Sequence, residues 1–221
     1  MKQKPFASLR LCAGFFPFFL LLVSCFGVDA DITINPNGSG TITVEYRISH
    51  ALDALGRMDG NERWNTIPVG RADFERTLDR LPDMRLLSFS SRQDARDIII
   101  SARMGFSSIE GLLAFLDASG RRSSFTGNPG SGRMVFTLSE GTGVHNPELA
   151  GLLAGISEGY SVRIGMGFPT EGSLTVLDNQ GRALTAVPGS SIQSTGRRVF
   201  GSFPLYEILT AAEGMNIEFR W

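Results

Sequence analysis

The stretch DITINPNGSGTITVEYRIS, Asp31–Ser49, holds two runs of alternating apolar and polar residues around a glycine-rich break. Ile32 and Ile34 alternate before the break, and Ile42, Val44, Tyr46 and Ile48 alternate after it. Thr41, Thr43, Glu45, Arg47 and Ser49 take the opposite face. Successive side chains on a strand point to opposite faces, so this pattern reads as a β-hairpin with one buried face. Gly38 and Gly40 are suited to the positive φ angles that such a turn demands.

Downstream the same order recurs. An irregular segment follows the hairpin, with a short helix expected over Ala51–Met58 and a loop centred on Trp64. Phe74, Leu78 and Leu81 then fall at helical spacing, and Pro82 closes the run. RLLSFSS and DIIISARMGF flank the polar turn RQDAR, and a helix over SIEGLLAFLDAS follows, with Ser107 and Glu110 at capping-box spacing. A third hairpin, RSSFTGNPGSGRMVFTLS, precedes a helix with Asn146 as its cap and Pro147 at its first position. The segments SVRIGMGF, with Val162, Ile164, Met166 and Phe168 alternating, SLTVLDNQGRALTAV and RRVFGSF, a helix over PLYEILTAAEG and a last strand NIEFRW complete the chain. Strict alternation gives a sheet one apolar face, as antiparallel sheets allow, and the amphipathic helices need such a face to cover. The expected fold is α+β, a mainly antiparallel sheet built from successive hairpin-helix units with the helices packed on one face.

Upstream of the first hairpin the chain changes character. Lys2, Lys4 and Arg10 precede the uncharged run LCAGFFPFFLLLVS, which ends on LVSC, Leu22–Cys25. A positive start, a short apolar middle and a small residue at its exit make a secretory signal. The run is too short for a membrane-spanning helix, which needs about 20 apolar residues. Two cleavage readings follow. Val28 and Ala30 are spaced for ordinary signal peptidase, which would cut after Ala30 and discard Cys25. Alternatively, LVSC resembles the bacterial lipobox, with leucine three residues before the cysteine and a small residue directly before it. The resemblance implies cleavage between Ser24 and Cys25, a diacylglyceryl thioether on the Cys25 sulfur, and acylation of the new amine. Cysteine usage favours the lipobox: Cys12 lies within the signal, so the mature chain keeps Cys25 alone and no intramolecular disulfide can form. The expected organisation is a signal over residues 1–24, an acylated tether over 25–30 and a single domain over 31–221.

Three of the 21 lysines and arginines lie in the signal, leaving 18 arginines against 22 acidic residues, a formal charge of −4. That balance argues against a nucleic-acid partner, which needs a basic face. The glycine-rich segments NGSG and NPGSG lie between alternating strands and read as hairpin turns. A phosphate-binding P-loop would need GxxxxGK[ST] running from strand to helix, and the mature chain has no lysine. His50 and His145 stand apart from other metal-ligating residues. The one GxSxG pattern, GISEG at Gly155–Gly159, falls in the expected helix NPELAGLLAGISEG and not on a strand-to-helix turn, so no nucleophile elbow is assigned, and Gly189–Ser191 offers no discernible base. Glu75/Asp79 and Asp94/Asp97 are interspersed with arginines, as on a solvated surface. No catalytic, cofactor-binding or metal-binding residue is assigned, and Trp64, inside a long loop, is the candidate contact for a ligand or partner.

Cys25 followed closely by ITINPNGSGTITVEYRIS, and then by LDALGRMDGNERWNTIPVGRADFERTL, resembles a group of uncharacterised spirochaetal lipoproteins. The resemblance runs through most of the mature chain and brings no assigned activity with it. More distantly, the lipobox with NGSGTITVEYRIS is similar to the start of LppM-type lipoproteins, whose members are linked to lipid or glycolipid binding in the envelope. The C-terminal membrane helix of those proteins has no counterpart here. The expectation is a non-enzymatic lipoprotein of the bacterial cell envelope, held to the outer membrane or to the periplasmic face of the inner membrane through Cys25. Its partner would be an envelope protein or a lipid. The alternative is a carrier of a lipid or other apolar ligand, with a wall built from Ile100, Met104, Phe136, Met166 and Phe219 and from Leu112, Leu116, Leu152 and Ile156. An enzyme is the third reading.

Overall fold

The computed structural model describes residues 27–50, 70–141 and 147–221. The first hairpin is as the alternation predicts: β1 (Val28–Ile34) pairs antiparallel with β2 (Gly40–Ser49), placing Ile32 opposite Ile42. Gly38 in the turn has φ +83°, and its N–H donates to the Asn35 carbonyl at 2.9 Å. Gly40 is needed for another reason. A Cβ there would lie 2.0 Å from the Thr33 carbonyl oxygen and 2.3 Å from the Phe106 ring.

After residues 51–69, which hold the expected Ala51–Met58 helix and lie outside the described residues, come α1 (Arg71–Leu78), β3 (Met84–Gln93) and β4 (Asp97–Phe106). The first helix stops at Leu78, one turn before Pro82, because a residue preceding proline is driven out of the helical region. Phe74 buries itself against the rings of Tyr46 and Phe89, at centroid distances of 6.5 and 5.7 Å. Next are α2 (Ile109–Leu116), β5 (Ser123–Asn128) and β6 (Ser131–Ser139). The cap of α2 differs from the expected Ser107–Glu110 pair. Ser108 accepts from the Gly111 N–H at 3.0 Å, while the Ser107 hydroxyl is drawn away to the Asp83 carboxylate at 2.7 Å. The remainder is α3 (Pro147–Ser157), β7 (Ser161–Gly167), β8 (Ser173–Leu177), β9 (Ser191–Thr195), β10 (Arg198–Pro204), α4 (Leu205–Thr210) and β11 (Met215–Arg220).

The architecture mixes helices and strands, strands dominating, and it contains two sheets where the alternation alone implied one. The larger has seven strands in the order β3-β4-β2-β1-β7-β10-β9, and the smaller has four in the order β5-β6-β11-β8. All pairings are antiparallel except β1 with β7, which run parallel with Ile32 beside Met166. The third hairpin does not extend the first sheet; β11 inserts between β6 and β8 to build the second. Both sheets nevertheless share one cluster of buried side chains. They meet where Phe168, directly after β7, packs on Phe219 and stacks on Trp221 at 4.9 Å. They also approach at Gly201 of β10, where a Cβ would fall 3.1 Å from Leu174 of β8. Such interdigitation is the normal close packing of a protein interior.

The two turn glycines should therefore respond differently to substitution. Gly38→Ala forces a positive φ on a side chain and should cost about 1 kcal/mol or more. Gly40→Ala drives a Cβ into backbone and should cost about 2 kcal/mol or more. Urea unfolding of the two variants checks the order; equal losses, or a milder Gly40→Ala, would contradict the geometry.

Candidate functional site

Ser24, Cys25 and Trp64 all lie outside the described residues, so the site is built from where the chain emerges towards Cys25. It emerges at the centre of the larger sheet. The Gly27 carbonyl accepts from the Arg47 N–H at 3.1 Å, and the Gly27 backbone lies beside Tyr160 and Ser161 at the start of β7. The strand begins at Val28, so residues 28–30, expected in the tether, belong to the sheet instead. Alternation explains this: Val28 and Ala30 share the inward face of Ile32 and Ile34, and Ala30 is buried.

Around this point a collar of polar side chains closes the sheet end. Tyr160 donates its hydroxyl to Asp97 at 3.3 Å and carries the Arg96 guanidinium 5.2 Å from its ring centre. The Asp94 carboxylate accepts from the N–H groups of Arg96 (2.8 Å) and Asp97 (2.7 Å), closing the β3–β4 turn. His50 donates Nε2 to the Asp94 carbonyl at 2.9 Å and its own N–H to the Arg96 carbonyl at 3.0 Å. Burial, and then the Asp97 charge, push the Tyr160 phenol above its ordinary range. The backbone N–H of Asp97, and then that of Arg96, hold the Asp94 carboxyl below the usual carboxylate range. Asp97 itself is buried, not solvated as the arginine-rich context suggests, because the turn folds onto Tyr160. These contacts fix the geometry of the β3–β4 turn and of the strand start beside it.

The other sequence candidates resolve as follows. Glu75 pairs with Arg71 at 3.2 Å on the exposed side of α1, and Asp79 is that helix's C-cap. His145 lies outside the described residues, and so do the side chains of Leu152 and Ile156. Ser190 donates to the Val187 carbonyl at 2.7 Å in a turn where Gly189 has φ +65°. The two glycine-rich turns, far apart in sequence, touch: a Cβ on Gly38 would lie 3.0 Å from the Pro129 ring. Among the described residues no three His, Cys, Asp or Glu side chains are grouped to hold a metal, and no helix is long and apolar enough to cross a membrane. Two clefts open at the surface. One, of about 350 Å³, is lined by Thr126, Gly127, Ser131, Gly132, Arg133, Arg220 and Trp221. The other, of about 260 Å³, lies between the β8 end and Ile192.

The Tyr160–Arg96 contact and the buried carboxylates were not visible in the sequence, since they depend on which strands become neighbours. The alternation of Val28 and Ala30 was a usable signal for the earlier strand start. No protein-family model matches the chain, and neither a curated protein nor a solved structure matches it.

The collar predicts a pH effect. A carboxyl with a folded-state pKa below its unfolded value stabilises the fold above the unfolded pKa, about 3.9 for Asp, and loses that contribution as pH falls through the folded value. Wild type should therefore melt higher than Asp94→Ala at neutral pH, and the gap should close below about pH 4. A gap that stays constant into acid would assign it to something other than this carboxylate.

Proposed function

We propose that this protein is a lipoprotein of the bacterial cell envelope, anchored through acylated Cys25, that works by non-catalytic interaction with an envelope partner. The observation that carries the reading is the start of β1 at Val28. An ordinary signal-peptidase cut after Ala30 would remove three residues from a central strand. Val28, Asp29 and Ala30 pair with Tyr46, Glu45 and Val44 on one side and with Val162, Arg163 and Ile164 on the other. A cut between Ser24 and Cys25 leaves the strand whole. Only Phe26 and Gly27 then separate the anchor from the sheet, a reach of about 7 Å at roughly 3.4 Å per extended residue. The domain would rest against the bilayer with its Tyr160 collar nearest to it. From the alternation of the strands and the apolar stripes of the helices, the helices are read as layered on the inner face of the larger sheet, with Phe74 against Tyr46 and Phe89 as support.

Core packing supports interaction over carriage. Ile100, Met104, Leu112, Met166 and Phe219 show no solvent exposure and belong to one cluster, with Phe136 and Leu116 at its border. A lipid carrier would need several hundred cubic ångströms among these residues, and both clefts are lined by others. Stoichiometric recovery of a lipid other than the acyl anchor from the purified protein would favour the carrier instead.

Mass spectrometry of the mature N-terminus tests the anchor. A diacylglyceryl-modified, N-acylated Cys25 is expected, with the protein almost wholly in the membrane fraction, because two or more chains hold a protein stably. Cys25→Ala should abolish the modification and the processing before residue 25. A mature chain starting at Asp31 would overturn the proposal.

A further inference from the structure

We propose that Arg133 and Arg220 form a binding site for an oxoanion, a phosphate or carboxylate group, on the outer face of the four-stranded sheet. The two residues stand directly opposite each other on the adjacent strands β6 and β11. Like charges in that position repel, and a sheet does not normally place them there without compensation. Compensation comes from Glu218, two residues before Arg220 on the same face and 4% exposed. One of its carboxylate oxygens accepts from Arg133 Nε and the other from Arg220 Nε. One buried negative charge thus holds two guanidiniums, leaving a net positive charge.

The manner of holding matters as much as the charge. Each arginine is tied down through Nε, which leaves its terminal Nη groups without a hydrogen-bond partner among the described residues. The side chains are 45% and 63% exposed, so the unused donors face outward. Guanidinium forks match the geometry of phosphate and carboxylate oxygens, and forks already fixed by another contact lose less freedom on binding. Both arginines line the cleft of about 350 Å³, together with the Thr126 and Ser131 residues, whose hydroxyls can donate to an anion. On the opposite face of the same strand, a Cβ on Gly132 would strike the rings of Phe125 and Trp221 at 2.6 Å, so the backbone beside Arg133 is packed against them. Trp221 is itself immobilised, stacked between Phe168 and Phe125 with its indole N–H on the Pro129 carbonyl at 2.8 Å.

The cleft lies beside the glycine-rich turns, where Gly38 meets Pro129. That is the far end of β1 from Gly27, so the site faces away from the point where the chain leaves for Cys25. The site stands on this geometry alone and does not depend on acylation.

Phosphorus NMR of inorganic phosphate added to the full-length protein in uncharged detergent micelles tests the assignment. Saturable line broadening is expected, with no equivalent effect when chloride of equal ionic strength replaces part of the phosphate. Arg133→Gln and Arg220→Gln should each weaken binding about tenfold or more, the loss expected for a hydrogen bond to a charged group. Should either variant misfold, Arg133→Lys and Arg220→Lys keep the charge beside Glu218 while removing the fork, and they too should bind phosphate more weakly. Competition then identifies the source of the anion. Displacement by glycerophosphoglycerol assigns a phospholipid headgroup, and displacement by glucose 6-phosphate alone assigns a soluble phosphomonoester. Absence of saturable broadening, or broadening unaffected by folded variants at both arginines, would overturn the proposal.

Discussion

β1 lies between β2 and β7, hydrogen-bonded along both edges, and the rest of the larger sheet is arranged on either side of it. Its partner on one side is its own hairpin, and on the other a strand more than 120 residues later, joined in parallel. A parallel pair cannot be closed by a tight turn and needs a crossover. Everything from β2 to α3 is that crossover. The first strand among the described residues is therefore also the keystone of the larger sheet, which cannot be completed until α3 has been passed and β7 is in place.

On the proposed lipoprotein reading, this placement would link export to fold. In a protein with a loose N-terminal tail, the cleavage position would matter little to stability. Here the tail is two residues long on the lipobox reading, and a cut three residues into the strand would strip pairings from both neighbours. The collar of Tyr160, Arg96, Asp94 and His50 reinforces the same end. Its hydrogen bonds tie the β3–β4 turn to the β2 terminus, while Tyr160 reaches Asp97 from the segment leading into β7. The anchor would therefore pull on a braced sheet centre and not on a free edge.

At the opposite end the second sheet brings the glycine-rich turns and the aromatic stack together. Trp221 bridges the sheets through Phe168 and Phe125, and this leaves room only for glycine at position 132. On the outer face, the buried Glu218 carboxylate is held ionised by Arg220 and Arg133 in spite of its burial. Removing either arginine weakens that compensation without emptying it, whereas replacing Glu218 would leave two guanidiniums opposed. Both ends of the molecule thus use a buried carboxylate, Asp97 held by the Tyr160 hydroxyl at one and Glu218 held by two arginines with donors to spare at the other.

Local pattern was enough to place the first three hairpins, the four described helices and most inward-facing residues, because period two and period 3.6 are properties of neighbouring residues, whereas β9, exposed along its whole length, gave no alternation to read. Ile32, Ile42, Met104, Met166 and Phe219 were legible as core for that reason, as was Gly38 as a turn residue. The resemblance of LVSC to a lipobox is likewise a local reading, carried by four adjacent residues that lie outside the described ones. Partner choice among strands was not. Alternation marks which face of a strand is buried but carries no record of which strand lies beside it, so the division into two sheets and the β1–β7 pairing were set only by tertiary packing. The same holds for Ser108 replacing Ser107 as the α2 cap, which turns on Asp83 lying near both serines. Glu218, Arg133 and Arg220 drew no attention in the sequence, and only the register of β6 against β11 makes them a cluster. Contacts within a few residues are written in the sequence; contacts across 85 residues are decided by how the sheets close.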